Sequence, residues 1–488
     1  MLERRLGLLG LTATGICAML GASINVVPFM VHRSVPGIGP YVLPAFMLAA
    51  APALVAALAY GALASAMPRA GGSYLYASRG LNPYLGFIAS FSQWFGLSIV
   101  IGVIAYVIVP FLRDIAVASG AGALAAALEV GPVRVGLALV LIWGFVTINV
   151  LGLRAYSRTL IGMMGLMFVL GAIVIVAGVS FDHGDFAAAV LAQEARTVGG
   201  APSADWRWPV FLSAAALMFS SFIGFDAIAQ AGGEARAPAR TLPLAILLTI
   251  TVVGAFYFAF TAAVYHAVPW WFVAEEAATK DISAPGLLAY LLPAGLGVAI
   301  LTGAAVALIN DLPAMLLSVS RLVFAWAEDG IFPRAVARVH DRLHTPHRAL
   351  VVSGLMASIG ALGSHFAGDF FLGIDIMVTA MLVNFLLMCV TLLTLPHVNP
   401  SLAAEVVALP NRTVQRIVGV AGVALLGAFL VIHIAKDLTA DAEAWYFRST
   451  WVWLLVMGLG TASYALARQR CVRRGEPWQA RFTELPQG

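Results

Sequence analysis

The chain has 488 residues, of which 61% are hydrophobic and only 11% charged, with a formal net charge of +4. A soluble protein carries about 25% charged residues, so one soluble core is excluded, and repeated apolar runs of about 20 residues point instead to a polytopic membrane protein. The basic excess is almost all arginine in short loops between those runs, the pattern of topology signals rather than of nucleic-acid binding. Cys17, Cys389 and Cys471 have no redox or metal-ligand spacing. His340, His344 and His347 fall in one short loop and read as an exposed segment, so no metal site and no cofactor is expected.

Twelve all-α spans follow in order, with approximate limits 6–32, 38–66, 83–112, 132–152, 158–180, 208–233, 241–266, 285–326, 348–364, 370–396, 414–435 and 449–468. The start, Met1 to Arg5 and then an apolar run, has the look of a signal peptide, but the run is too long, so an uncleaved first helix is expected. The eighth span is overlong and the ninth short. With the N-terminus cytoplasmic, twenty of the 28 Lys and Arg residues lie inside, including Arg69, Arg79 and Arg321, which satisfies the positive-inside rule. Both termini are then cytoplasmic, as in a bacterial-type inner membrane protein. The loop at 181–207 carries acidic, Gly and Pro residues without clear periodicity, and the tail after Arg468 is short and basic.

Spans one and six are interrupted. Span one contains Gly21-Ala22-Ser23-Ile24-Asn25 with Pro28 beyond, and span six contains Ser220-Ser221-Phe222-Ile223-Gly224-Phe225-Asp226. A broken helix frees backbone groups that lipid cannot satisfy, and they turn to a ligand, an ion or water. The competing use of such glycines is close helix packing. Each break opens a group of five spans, and five is odd, so the second group enters the membrane in the opposite sense. Interrupted helices at matching positions of inverted halves mark secondary transporters.

Three carboxylates fall inside spans. Asp at mid-membrane costs about 2.5–3.5 kcal/mol on insertion scales. Asp226 reads either as a substrate-amine partner or proton-sensitive gate, or as a cap for freed N–H groups. Asp311 lies beside Asn310 in mid-span eight, where a buried carboxylate holds a cation or takes up a proton; proton linkage is favoured over sodium, with a structural network through Asn310 as the alternative. Asp375 reads as a helix-start residue. Trp94 is a candidate gate, although most membrane aromatics pack or anchor. Glu234, Arg236 and Arg240 suggest an inner salt bridge with Arg69 or Arg79.

Four segments together resemble the amino acid–polyamine–organocation (APC) transporters. They are Met67-Pro68-Arg69-Ala70-Gly71-Gly72-Ser73-Tyr74-Leu75-Tyr76; Phe222-Ile223-Gly224-Phe225-Asp226 with Glu234 through Pro243; Ser320-Arg321 with Asp329-Gly330-Ile331-Phe332-Pro333; and Asn149 with Gly152. The resemblance implies a LeuT-like 5+5 inverted-repeat core over residues 1–396, with repeat one at about 6–180 and repeat two at about 208–396, followed by two extra helices and a basic tail over 397–488. It implies substrate held by Gly21, Ala22, Ser23 and Ile24 with Ser220, Ser221, Phe222 and Gly224; the candidates for coupling or gating are Asp226, Asp311, Asn310 and Trp94. Ser23 and Asn25 stand where the family often has glycine and an aromatic, so a narrower or more polar site is expected. The expected function is a permease for an amino acid or related amine, working by proton symport or substrate exchange. The rivals are a non-transporting sensor or assembly subunit on the same fold and, far behind, a membrane enzyme, for which no nucleophile–base pair clusters at one depth.

Overall fold

The computed structural model describes residues 2–367, 370–440 and 444–486. Its helices in chain order are α1 (Leu8–Met19), α2 (Ala22–Asn25), α3 (Val27–Ser34), α4 (Val42–Ala66), α5 (Gly72–Gly80), α6 (Pro83–Ala118), α7 (Gly122–Glu129), α8 (Gly131–Leu151), α9 (Leu153–Ser180), α10 (His183–Glu194) and α11 (Trp208–Met218). They continue with α12 (Asp226–Gln230), α13 (Pro238–Ala267), α14 (Trp270–Thr279), α15 (Ala284–Leu288), α16 (Ala294–Glu328), α17 (His347–Ala367), α18 (Phe370–Val398), α19 (Pro400–Ala404), α20 (Arg412–Thr439) and α21 (Ser449–Arg473). Among the described residues, 11 helices are long and apolar enough to cross a membrane, and α1 is a shorter apolar segment. The protein is an all-α, multi-pass integral membrane protein.

The spans sort into two groups by what covers them. The windows in α6, α11–α12, α16 and α18 are mostly buried within the bundle, whereas α8, α9, α20 and α21 leave most of their surface facing outward, where lipid satisfies an apolar side chain. The overlong eighth span resolves into α15 and one continuous 35-residue helix, α16. The loop at 181–207 is not wholly irregular: Asp182 and Asp185 form a reciprocal capping box that starts α10. Arg196, just beyond α10, pairs with Glu276 of α14 at 2.8 Å.

Both termini lie on one face of the bundle, since Leu2, Arg4 and Pro486 line a single cavity there. This terminal face is tightly shut. Leu6 pairs with Ala235 and Ala70 with Ala231 as short backbone bridges. Beneath them Arg321 of α16 makes a two-pronged ion pair with Glu234, Nε to Oε2 at 3.2 Å and Nη2 to Oε1, with both side chains essentially unexposed. The expected inner salt bridge of Glu234 therefore exists, but its partner is Arg321, not Arg69 or Arg79. Arg79 instead donates to both oxygens of Asp329, at 2.6 and 2.9 Å, and Tyr74 adds a bond to the same carboxylate at 2.6 Å. Burial works against the Arg79 charge, but Asp329 more than offsets it and holds the guanidinium above its ordinary pKa. The tail after α21 covers this pair: Arg79 donates to the Arg481 and Glu484 carbonyls at 3.1 and 3.3 Å, and Arg481 donates to the Asp329 carbonyl at 3.0 Å.

Candidate functional site

The two breaks are built from backbone, as their small residues predict. α1 ends at Leu20, whose N–H makes the last helical bond to Ile16. Its ψ of 74° then turns the chain away at Gly21. α2 restarts for four residues, and Pro28 near the start of α3 forces a second interruption at Val26. Because α2 begins after a break, its first amides have no partner one turn back. In span six, α11 tightens into a 3-10 turn over Phe219–Phe222, Ile223 is extended, and Gly224 takes φ +134° before α12 starts.

The breaks meet. A Cβ built on Gly224 would lie 2.3 Å from the Ala18 carbonyl oxygen, so this glycine is the contact point of span six on span one. A Cβ on Gly21 would overlap the Asp311 carboxylate, so the carboxylate of α16 lies directly against the first break. Tyr257 of α13 closes the far side by donating its hydroxyl to the Met19 carbonyl. Gly224→Ala therefore combines an unfavourable φ, of order 1–3 kcal/mol, with a backbone collision. Uptake by the reconstituted protein is expected to fall at least about tenfold, with insertion into the membrane intact; uptake at the wild-type rate would count against the contact.

Between the breaks lies a cavity of about 20 Å³, enough for about one water. Ser23, Ser220 and Asp311 supply its polar wall; Val100, Val103, Ile104, Met315, Ile374 and Met377 are among its apolar lining. Asp311 is its single charged side chain among the described residues. Among the described residues the Ser220 hydroxyl of this wall is buried without a hydrogen-bond partner, as is that of Ser221 beside it. A wall of this kind carries polar atoms that a bound molecule can satisfy. Val103 also lines a larger vestibule of about 600 Å³ on the face opposite the termini, together with Arg33, Tyr106, Arg113, Arg134 and Asp281.

The expected site residues do not all fall at the cavity. Ser23, Ser220 and Asp311 line the cavity, while Gly21 and Gly224 lie behind it, against the lining residues Asp311 and Ala18. Ile24 faces a separate apolar gap against α9, α13 and α16. Phe222 packs on Phe46 and Tyr257, with ring centroids 5.3 and 5.8 Å away. Trp94 belongs to an aromatic cluster with Phe91 and Trp326. Ser221 and Asn310 are buried next to lining residues. Ala22 lies at the start of α2, and its side chain falls outside the described ones.

Asp226 occupies a different environment from Asp311. Its carboxylate accepts from the Gly224 N–H at 3.1 Å, which is the capping contact weighed from sequence. It also accepts from Gln93 of α6. Gln93 in turn accepts from Ser73 at 2.5 Å, Gln230 at 3.2 Å and Asn384 at 3.3 Å, and Asn384 donates to Tyr60 at 2.6 Å. No cationic side chain among the described residues pairs with Asp226. Sequence reasoning missed Gln93, Gln230 and Asn384. The available signal was an amide side chain inside an apolar span, which needs a partner as surely as a carboxylate does.

The family model described as amino acid permease matches residues 6–459. Among curated proteins, the chain is 29% identical over 363 residues to an uncharacterized transporter of Mycobacterium tuberculosis, covering 74% of each chain. It is 26% identical over 372 residues to a branched-chain amino acid permease of Bacillus subtilis, covering 74% of this chain and 75% of that one. It is also 26% identical over 384 residues to human cationic amino acid transporter 4, covering 74% of this chain and 55% of the relative.

Proposed function

The chain belongs to the amino acid permease family, a branch of the APC superfamily, and from that premise we propose that it carries an aliphatic amino acid through the cavity between the breaks of spans one and six. The observation that carries this reading is the mixed lining: one carboxylate and two serine hydroxyls together with branched or flexible aliphatic side chains of α6, α16 and α18. An amino acid headgroup needs the polar groups and an aliphatic side chain the apolar ones. The backbone at the break before α2 suits a substrate carboxylate, and Asp311 suits an ammonium. The similarity to a branched-chain amino acid permease supports the same class. A cationic substrate finds one carboxylate in the cavity but, among the described residues, no second one for a side-chain charge.

Transport proceeds by alternating access, with proton symport or substrate exchange as the driving cycle. The closed terminal face and the vestibule on the other face support this cycle, because the small cavity must enlarge to admit a substrate and the ion pairs beneath must part to release it. Asp311, against the first break, is the residue best placed for proton coupling, and Asp226, held only by neutral groups, is the second. Residues 6–180 and 208–396 act as inverted repeats, with 397–488 outside that core. The terminal face lies in the cytoplasm of a bacterial-type inner membrane, in keeping with the arginine distribution.

Counterflow into proteoliposomes tests the substrate class. With internal leucine, valine and alanine are expected to exchange, lysine and putrescine to exchange far more slowly, and flux to depend on pH but not on sodium. Faster exchange of lysine or putrescine would overturn the aliphatic assignment, and sodium dependence would overturn the proton assignment. Binding of amino acids without any flux would favour a sensor on this fold.

A further inference from the structure

We propose that a basic pocket at the terminal face, at the start of α1 and α9, binds the phosphate headgroup of an anionic membrane lipid. The cavity measures about 560 Å³ and is lined by Arg5, Arg154, Arg158 and Arg236, with Ser157, and among the described residues no carboxylate shares the lining. Among the described residues Arg154, Arg158 and Arg236 form no ion pair, and Arg5 pairs only with its half-exposed neighbour Glu3. Four arginines line this one cavity, and an anion there offers oxygens to their forked donors.

A second observation points the same way. Both α1, of 12 residues, and α9, of 28, begin at this cavity, behind Gly7 and Gly152, and neither start has a side-chain cap. Their first-turn amides and their positive dipole ends therefore face the same space as the arginines. The pocket also has an exposed apolar edge. α9 is one of the outward-facing spans, and Leu9 at the pocket's edge is 60% exposed, which suits an acyl chain beside the headgroup. Basic pockets between helices at the cytoplasmic boundary take anionic lipids by this chemistry. The lipid form is distinguished from a free phosphate ion by that apolar rim.

The test uses the full protein, delipidated in neutral detergent and studied by native mass spectrometry. It is offered phosphatidylglycerol or phosphatidylcholine with the same acyl chains, or inorganic phosphate. Retention of phosphatidylglycerol is expected to exceed that of phosphatidylcholine by roughly tenfold or more, and the preference should disappear in Arg154→Gln/Arg158→Gln but survive in large part in Arg154→Lys/Arg158→Lys. Equal retention of the two lipids by the wild-type protein would overturn the proposal without recourse to any variant. So would a phosphatidylglycerol preference unchanged in the glutamine variant, or inorganic phosphate displacing phosphatidylglycerol at equal concentration, which would make the occupant a free anion.

Discussion

Glu234→Ala is expected to destabilise the protein by about 3–5 kcal/mol, because it leaves the Arg321 guanidinium buried without its counter-charge. The pair lies where the backbone of Leu6 meets Ala235, and both side chains are sealed from solvent. Thermal unfolding in detergent reads the loss directly. Removing both charges with Glu234→Ala and Arg321→Met should recover much of it, since a buried pair replaced by apolar groups is often near neutral in stability. On the proposed alternating-access cycle the double variant should still transport poorly, because opening the terminal face would require this pair to part. A single-variant loss below about 1 kcal/mol, the range of exposed pairs, would show that water reaches the pair.

The second large effect is expected at Asp311. Asp311→Ala removes the charged side chain of the midplane cavity and the group that Gly21 leaves room for. Uptake should fall by about a hundredfold or more, equivalent to about 2.7 kcal/mol. Asp311→Asn keeps the shape and the acceptor oxygen but cannot exchange a proton. It should retain counterflow in part and lose the pH dependence of net uptake. Pronounced pH dependence surviving in Asp311→Asn would move the coupling role to Asp226, whose partners Gln93 and the Gly224 amide are neutral.

How much of this was visible in the sequence depended on the range of the interaction. The spans were legible because twenty consecutive apolar residues have few other fates. The breaks were legible because Gly21 and Gly224 sit among serines where a helix has no reason to place them, and the structure brings those two glycines to one site. The partners were not legible. Arg79 meets Asp329 250 residues away, and no local pattern encodes such a pairing. Arg79 and Arg321 also read as topology signals, because an arginine near a span end looks the same whether it faces water or a buried carboxylate. Trp94 illustrates the converse: an aromatic at a plausible depth packs in a ring cluster on α6 and α16 instead of lining the cavity. The helix at His183–Glu194 was hidden by its acidic start, although Asp182 and Asp185 have the spacing of a capping box.

Substrate protection at Ser220 tests the central claim most directly. Cys17, Cys389 and Cys471 are replaced by serine or alanine, and Ser220→Cys then places one thiol on the cavity wall. Reaction with a small thiol reagent added from the vestibule face is followed with and without a transported aliphatic amino acid. Substrate at saturating concentration is expected to slow the labelling at least about tenfold, and a cysteine placed at Trp94, away from the cavity, should show no such protection. Labelling of Ser220→Cys at the same rate with and without a substrate that the same preparation transports would contradict a binding site between the two breaks.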